Sequence, residues 1–441
     1  MNWMKFKKLR SINFYYTSLD LINSLRLMLN AFIFLFKGVV ISFSQKGTNR
    51  HSKIFAEQFQ KKFKSIGAYT FASGRSGIYA LLSAMNFRKQ DEVLVTGYTC
   101  SAVAEPLLFL GIKPVYVDID LKTFSMKPSL ARKLITKRTK AIIIQHTYGR
   151  AANIKELLNI ANEYDLKVIE DCALALGSRH NNQLLGTFGD ASIFSFEVSK
   201  TISVGWGGMV VINKGNKLNQ KVKSFASNQG SLSMLKSFRR LFQAGLSGIL
   251  YMPQIYWFGG YIVSLLLRFG IFKKSSINFD RNKIPENYLK NPPDIQWSVL
   301  NGMFNKLDFI NDKQKKQSVI YDQIIRLYRA KNDNCKSNDV ALIRYPILVK
   351  NKKLFIELFR KNGIEVGQWF SHPISSSDDC HIYDYTLGSC ETAEYVANHI
   401  INLPTHQKLI QKDSNLICEL LEYFFNKYPE ERVFFEKTLS N

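Results

Sequence analysis

The segment FSFEVSKTISVGWGGMVV, residues 194–211, sets one lysine, Lys200, between an apolar strand-like run and three glycines, Gly205, Gly207 and Gly208. A lone amine in that position is suited to forming an imine with a carbonyl. Glycines just beyond it let backbone approach a bound group without a Cβ in the way. Two further groups occupy comparable strand-to-loop junctions. KVIED (167–171) ends in Asp171, followed by the small residues Cys172 and Ala173. A carboxylate at a buried strand end must be paired or hydrogen-bonded to offset its desolvation, and its natural partner is a cation or a protonated ring nitrogen. YTFASGRSGIYALL (69–82) starts a helix at about Arg75. Gly74 and the free amides after it favour a phosphate through unpaired N–H groups and the helix dipole. Ser76 offers a hydroxyl there, and Arg75 has the fork geometry for a bidentate phosphate contact. Ser195, five residues before the lysine, supplies a second hydroxyl. Each signal alone is weak, since Ser-Gly before a helix is an ordinary N-cap.

Together they form a set: a phosphate cradle, a carboxylate and a lysine at strand ends of one sheet, where open α/β sheets bind ligands. Pyridoxal 5'-phosphate needs that equipment. The lysine holds the cofactor as a Schiff base, and the acid keeps the pyridine nitrogen protonated so that the ring acts as an electron sink. Other polar residues read more plainly. His146, Tyr148 and His406 are satisfied structural groups on this reading, and Asp190 in GTFGDAS is a turn or cap residue. With no HxxxH or CxxC spacing among seven histidines and six cysteines, no metal site is expected.

The elements that must position this set alternate. Strands are expected over 92–97, 113–119, 141–146, 167–171, 191–196 and 208–213, with helices near 75–86, 101–111, 128–135 and 153–164. Near-continuous apolar strands between amphipathic helices predict an α/β fold: a mostly parallel sheet sandwiched by helices. Residues 295–330 read as one long helix or two in tandem. From 340 onward the pattern turns α+β: LIRYPILV (342–349), a helix near 352–362, GIEVGQW (363–369) and a terminal helix after Lys412. The expected organisation is an N-terminal apolar and basic extension (1–50), a large domain (51–310) with an apolar insert (231–280), and a smaller C-terminal α+β domain (311–441). The chain divides within the stretch around 310–340.

With 441 residues, 46% of them hydrophobic, the chain can bury two sizeable cores. Its net charge of +25 comes from dispersed lysines such as KRTK (137–140), so nucleic acid is not an expected partner. Scattered cysteines suit a reduced cytoplasmic setting. The apolar stretches 19–43 and 245–272 are interrupted by Arg26, Asn30 and Lys37, and by Pro253, Gly259, Gly260 and Arg268, so neither reads as a spanning helix. Stretch 245–272 reads as a packed helical hairpin or dimer contact. The alternative is peripheral seating on an anionic membrane, with Lys7–Arg10 and Lys273–Lys274 as basic flanks.

From about residue 55 to 425 the chain resembles the DegT/DnrJ/EryC1/StrS sugar aminotransferases, pyridoxal-phosphate enzymes of aspartate aminotransferase fold type I. The resemblance is carried by SGRSGIYALL (73–82), DEVLVTGYTCSAVAEPLLFLGIKPVYVDID (91–120), HTYGRAANI (146–154), LKVIEDCALALGS (166–178), GTFGDASIFSFEVSKTISVGWGGMVV (186–211), DIQWSVLNGMFNKLD (294–308) and NLPTH (402–406). It implies that Lys200 is the Schiff-base lysine and Asp171 the pyridinium partner, with Gly74, Arg75 and Ser195 at the phosphate. It also implies a homodimer with active sites at the subunit interface. The implied substrates are a nucleotide-linked keto sugar and an amino donor, usually glutamate, used in polysaccharide or glycoconjugate synthesis. The chain departs from the family pattern at Cys100, where an aromatic ring usually stacks on the cofactor, although Tyr98 is close by. It departs also at Leu174, Glu197 and Trp206. Dehydratases of the same superfamily tend to replace the lysine, which this chain retains. A non-catalytic, membrane-attached assembly protein on the same fold is the reading from a different class, and the absence of GxGxxG after the first strand sets a dinucleotide-binding oxidoreductase aside.

Overall fold

The computed structural model describes residues 19–40, 49–198, 200–273, 279–327, 340–375 and 379–431, with backbone alone for 34–40. Seven strands make the central sheet: β1 (Gly67–Phe71), β2 (Glu92–Thr96), β3 (Lys113–Val117), β4 (Thr139–Gln145), β5 (Lys167–Asp171), β6 (Ala191–Ser195) and β7 (Gly208–Ile212). They lie in the order β1-β7-β6-β5-β4-β2-β3. β7 is antiparallel to both neighbours and the other pairings are parallel. Every position of β2, β6 and β7 is buried, which is why these strands read as unbroken apolar runs. All six expected strands form, each end within two residues of expectation. β1 lay outside that expectation. It is an edge strand with two half-buried positions and little apolar signal in GAYTF.

Before the sheet come α1 (Leu21–Val40) and α2 (Arg50–Phe63); between its strands lie α3 (Gly74–Met85), α4 (Ser101–Phe109), α5 (Pro128–Leu134) and α6 (Ile154–Glu163), and α7 (Asn216–Ser227) follows β7. Phe55, Phe59 and Phe63 recur every four residues on α2, so their rings form one buried stripe. They pack on Phe194, Phe196, Phe304 and Trp297 at centroid separations of 4.8–5.7 Å, fixing the back of β6.

The insert folds as a hairpin of α8 (Met234–Leu250) and α9 (Tyr256–Arg268), broken at Pro253 as expected. α8 is also where α1 docks. A Cβ on Gly245 would lie 2.6 Å from Met28 Cγ, and one on Gly248 would lie 2.2 Å from Ser24 Oγ, so glycines at these positions admit the close approach. Among the described residues no helix is long and apolar enough to cross a membrane. Residues 295–327 resolve the earlier ambiguity as two helices, α10 (Ile295–Phe304) and α11 (Leu307–Leu327). The division expected around 310–340 falls on α11 and on 328–339, which lie outside the described residues.

Beyond it, β8 (Arg344–Leu348) pairs antiparallel with β9 (Ile400–Pro404), flanked by α12 (Lys352–Lys361), α13 (Glu391–His399) and α14 (Gln411–Lys427). GIEVGQW, part of the expected α+β pattern, contributes no strand. Gly363 is at φ +78, and the segment meets β9 through a single bridge between Gly367 and Asn402 and through the Trp369 amide, which donates to Asn402 Oδ1 at 2.7 Å.

Candidate active site

The carboxyl ends of β5 and β6, the start of α3 and the turn between β6 and β7 surround a cavity of about 390 Å³. Gly74, Arg75, Asp171, Ser195 and Lys200 all line it. At its floor Ser73 caps α3, its Oγ accepting from the Ser76 amide at 3.3 Å while the Ser73 amide donates to Ser76 Oγ at 2.8 Å. Ser76 is therefore consumed by the capping box, not left for a ligand. The first-turn amides of Gly74 and Arg75 have no partner within the helix, by helix geometry. A Cβ on Gly74 would lie 3.3 Å from the Ser195 Cβ, so the helix start and the serine hydroxyl are adjacent. Gly208 makes this possible: a Cβ there would sit 2.3 Å from the Ser73 carbonyl carbon and 2.6 Å from the Gly74 nitrogen. Those amides and a hydroxyl form an anion cradle.

Asp171 is 4% exposed and accepts a hydrogen bond from the Ala173 amide at 3.0 Å. Burial pushes its carboxyl above the ordinary carboxylate range, an effect only partly offset by that amide, Lys200 and His146. A carboxylate held at such a cost favours a cation placed beside it. Lys200 is pushed the other way. Burial lowers its pKa, with Glu197 and Cys100 opposing and Arg344 assisting. A lowered amine pKa enlarges the neutral, nucleophilic fraction near pH 7. The donor set fits pyridoxal phosphate: anion cradle at one end, carboxylate at the other, amine between.

Arg75 is less open than its sequence context implied. Its Nη1 lies 2.8 Å from Glu105 Oε2, with both side chains buried, and Ser101 donates to the other Glu105 oxygen at 3.0 Å. Burial would lower the guanidinium, but Glu105 and then Glu197 more than offset it, and its pKa lies above the ordinary value. A two-pronged phosphate contact would compete with this ion pair. Cys100 does face the cavity, its thiol raised by burial against the pull of Arg75 and Lys200. Tyr98 takes no part there. It is fully buried, and its hydroxyl meets Tyr148 at 2.9 Å and the Phe370 amide at 2.6 Å. Tyr148 donates to the Trp369 carbonyl. The two tyrosines thus clamp segment 369–370, which sets the Trp369 ring 5.9 Å from Lys200 Nζ and 3.6 Å from the Arg344 guanidinium.

Sequence reading missed Trp369 and Arg344, because nothing local links them to a lysine so distant in the chain. It also missed Lys236, Arg239, Arg240 and Gln243 of α8, which line the cavity. Here a signal existed: four polar residues at i, i+3, i+4 and i+7 on an apolar helix form one face. Lys236 reaches Glu286 at 3.1 Å, and Arg239 donates to the Ile271 and Gly270 carbonyls. Arg240 lies over the Trp206 ring at 5.3 Å, with Nη1 buried and no hydrogen-bond partner among the described residues. Burial alone lowers its pKa, to about 10, so it stays charged near neutrality. Tyr288 completes the wall.

His146 is structural, as expected. Its Nδ1 accepts from the Ala152 amide at 3.2 Å and Nε2 meets Glu170 at 3.1 Å. With Cys172 these residues gather three ligand-type atoms within 4.8 Å. Glu170, however, already accepts the Gly186, Phe188 and Gly189 amides at 2.7–2.8 Å, which makes it a hub for that loop. Asp190 is likewise a loop tie, accepting from the Val168 amide at 2.8 Å.

Comparison with known proteins follows this geometry. An uncharacterised protein of Methanocaldococcus jannaschii is 28% identical over 81% of this chain and 86% of its own length. The GDP-perosamine synthase of Escherichia coli O157:H7 is 38% identical over 36% of this chain; the match spans 45% of that enzyme, less than half its length. Among solved structures, Helicobacter pylori PseC, an aminotransferase involved in the biosynthesis of pseudoaminic acid, superposes with a TM-score of 0.69 at 22% identity, covering 95% of this chain and all of its own. The E. coli GDP-4-keto-6-deoxy-D-mannose-3-dehydratase does so with a TM-score of 0.69 at 17% identity, covering 94% of this chain and all of its own. The profile of one family matches residues 41–250 and 263–422, nearly the whole chain, and the protein accordingly belongs to the DegT/DnrJ/EryC1/StrS aminotransferase family.

Proposed function

We propose that the protein is a pyridoxal-phosphate aminotransferase that converts a nucleotide-linked keto sugar to an amino sugar, with glutamate as amino donor, working as a homodimer in the cytoplasm. The observation that carries this reading is the placing of Lys200, Asp171 and the α3 cradle on one cavity. When bound, the cofactor supplies a carbonyl for the amine and a protonated ring that accepts electrons. The protein's own residues do the rest. The amides of Gly74 and Arg75, with the Ser195 hydroxyl, would hold the phosphate. Asp171 would keep a proton on the ring nitrogen. Lys200 Nζ, its pKa lowered by burial, would hold the cofactor through its carbonyl carbon and would carry a proton to and from the substrate carbon. Arg240 would meet a phosphate of the substrate's nucleotide.

The test is Lys200→Ala. Wild-type protein should be yellow with bound pyridoxal phosphate, lose that band on borohydride reduction, and form 2-oxoglutarate from glutamate and a keto sugar. The variant should show neither the band nor turnover. A colourless wild type that takes up no cofactor would overturn the reading, and cofactor uptake with sugar turnover but no 2-oxoglutarate would redirect it to a dehydratase.

A further inference from the structure

α1 is apolar on two sides, and among the described residues only one side is covered. Its inner side, Ser24, Leu27 and Ala31, is buried against α8. Its outer side carries Leu21, Ile22, Leu25, Arg26, Leu29 and Ile33 in one helical stripe, while Phe32 at its edge packs on Phe238 and Phe242 of α8. Ile22 is 76% exposed, Leu29 61% and Leu25 51%. Asp20, whose side chain accepts from the Asn23 amide at 2.7 Å, caps the helix start, and Lys408 Nζ ties the Leu19 carbonyl at 3.0 Å, so the stripe is held on the folded body. In the insert, α9 buries only Tyr256, Gly259 and Val263, while Phe258 and Phe269 are 65% and 73% exposed.

The charge pattern says what covers these faces. Residues 21–49 and 231–273 contain no Asp or Glu, and apart from the cavity-lining cations their basic residues are Arg26, Lys37, Lys46 and Arg268. At the chain's average frequency of 35 acids in 441 residues, that length would hold about six. Apolar helices with basic and no acidic side chains fit the boundary of an anionic bilayer, where the apolar stripe enters the acyl edge and the cations meet phosphate head groups.

We propose that the outer face of α1, with the exposed apolar residues of α9, docks the protein on an anionic phospholipid surface. No helix crosses the bilayer in this arrangement; the protein lies on it. α8 carries α1 on one face and the cavity residues Lys236, Arg239, Arg240 and Gln243 on another. The docked face therefore stands about two helix diameters, roughly 20 Å, from the candidate active site.

The experiment is co-sedimentation of the full chain with phosphatidylcholine vesicles, with and without phosphatidylglycerol. Wild type should pellet with the anionic vesicles, far less with phosphatidylcholine alone, and less as salt rises. Ile22→Glu/Leu25→Glu/Leu29→Glu should lower the partition coefficient by roughly 100-fold or more, since three apolar side chains are withdrawn. Arg26→Gln should lower it about fivefold. Leu29→Ser, a single change at an exposed position, should fold as wild type and still lose about tenfold. Wild type that ignores anionic vesicles, or a Leu29→Ser protein that binds them equally well, overturns the proposal. So does a triple variant that splits a wild-type oligomer while vesicle binding is unchanged, which would assign the face to self-association.

Discussion

Replacing Asp171 by asparagine removes a charge while keeping the shape of the side chain, so it isolates what the carboxylate does. The Ala173 amide can still donate to the asparagine oxygen across the same 3.0 Å, and folding should be nearly unaffected. The cation in the cavity would lose its partner. Asp171 is 4% exposed, so water offers little compensation. Breaking one side of a buried charge pair costs about 3–5 kcal/mol. If that cation is the ring nitrogen, transamination should fall by roughly 150- to 5,000-fold, read as kcat with glutamate and keto sugar and as single turnovers of the preloaded enzyme. The pH dependence gives a second reading. In cofactor-free protein the folded pKa of Asp171 is raised, so its contribution to stability is full below the ordinary carboxylate value of about 3.9 and is lost as pH rises through the folded value. A bound cation reverses the preference. Stabilisation by pyridoxal phosphate should therefore grow across that window in wild type and stay flat in Asp171→Asn. An Asp171→Asn enzyme within about fivefold of wild-type kcat, with a wild-type pH profile, would refute the assignment.

Two other outcomes follow from the cavity walls. Arg240→Gln should raise KM for a nucleotide-linked sugar by about 10- to 150-fold, the worth of one charge-assisted hydrogen bond, with kcat little changed; a fall in kcat at constant KM would place the residue elsewhere in the reaction. Gly208→Ala should lower thermal stability by on the order of 2–4 kcal/mol and abolish cofactor uptake, because its Cβ would occupy the space of the Ser73 carbonyl. Gly302→Ala is its control: α10 has open space there, and the change should add up to about 1 kcal/mol.

Residues that act through the sheet were legible in the sequence. Strand ends declare themselves by where an apolar run stops, so Asp171, Ser195 and Lys200 were found from local pattern and meet in one cavity. Residues that act across the fold were not. Trp369 comes near Lys200 because Tyr98, Tyr148 and Asn402 bond segment 369–370, while Arg344 arrives from β8, and no periodicity encodes a hydroxyl meeting a backbone group more than two hundred residues away. Arg75 shows the converse: its type and position invited a phosphate contact, yet Glu105, one turn into another helix, holds it. Glycine at 363 and the single bridge at Gly367 likewise explain why apolar alternation in GIEVGQW made no strand.

The departure at 206 gains an explanation from the insert. Trp206 sits in the glycine turn that follows Lys200, and α8 packs directly on that turn. A Cβ on Gly205 would lie 3.2 Å from Ala244 Cβ, and Arg240 stacks over Trp206 at 5.3 Å. An acidic residue at 206 would pair with Arg240 and cancel it, whereas an indole orients the guanidinium and leaves its buried nitrogen without a partner among the described residues. Glu197, for its part, adds negative charge that favours protonated Lys200 and supports the charge on Arg75. Tryptophan at 206 and arginine at 240 are therefore one device. It requires the insert, and it turns an added helix into a wall of the candidate active site.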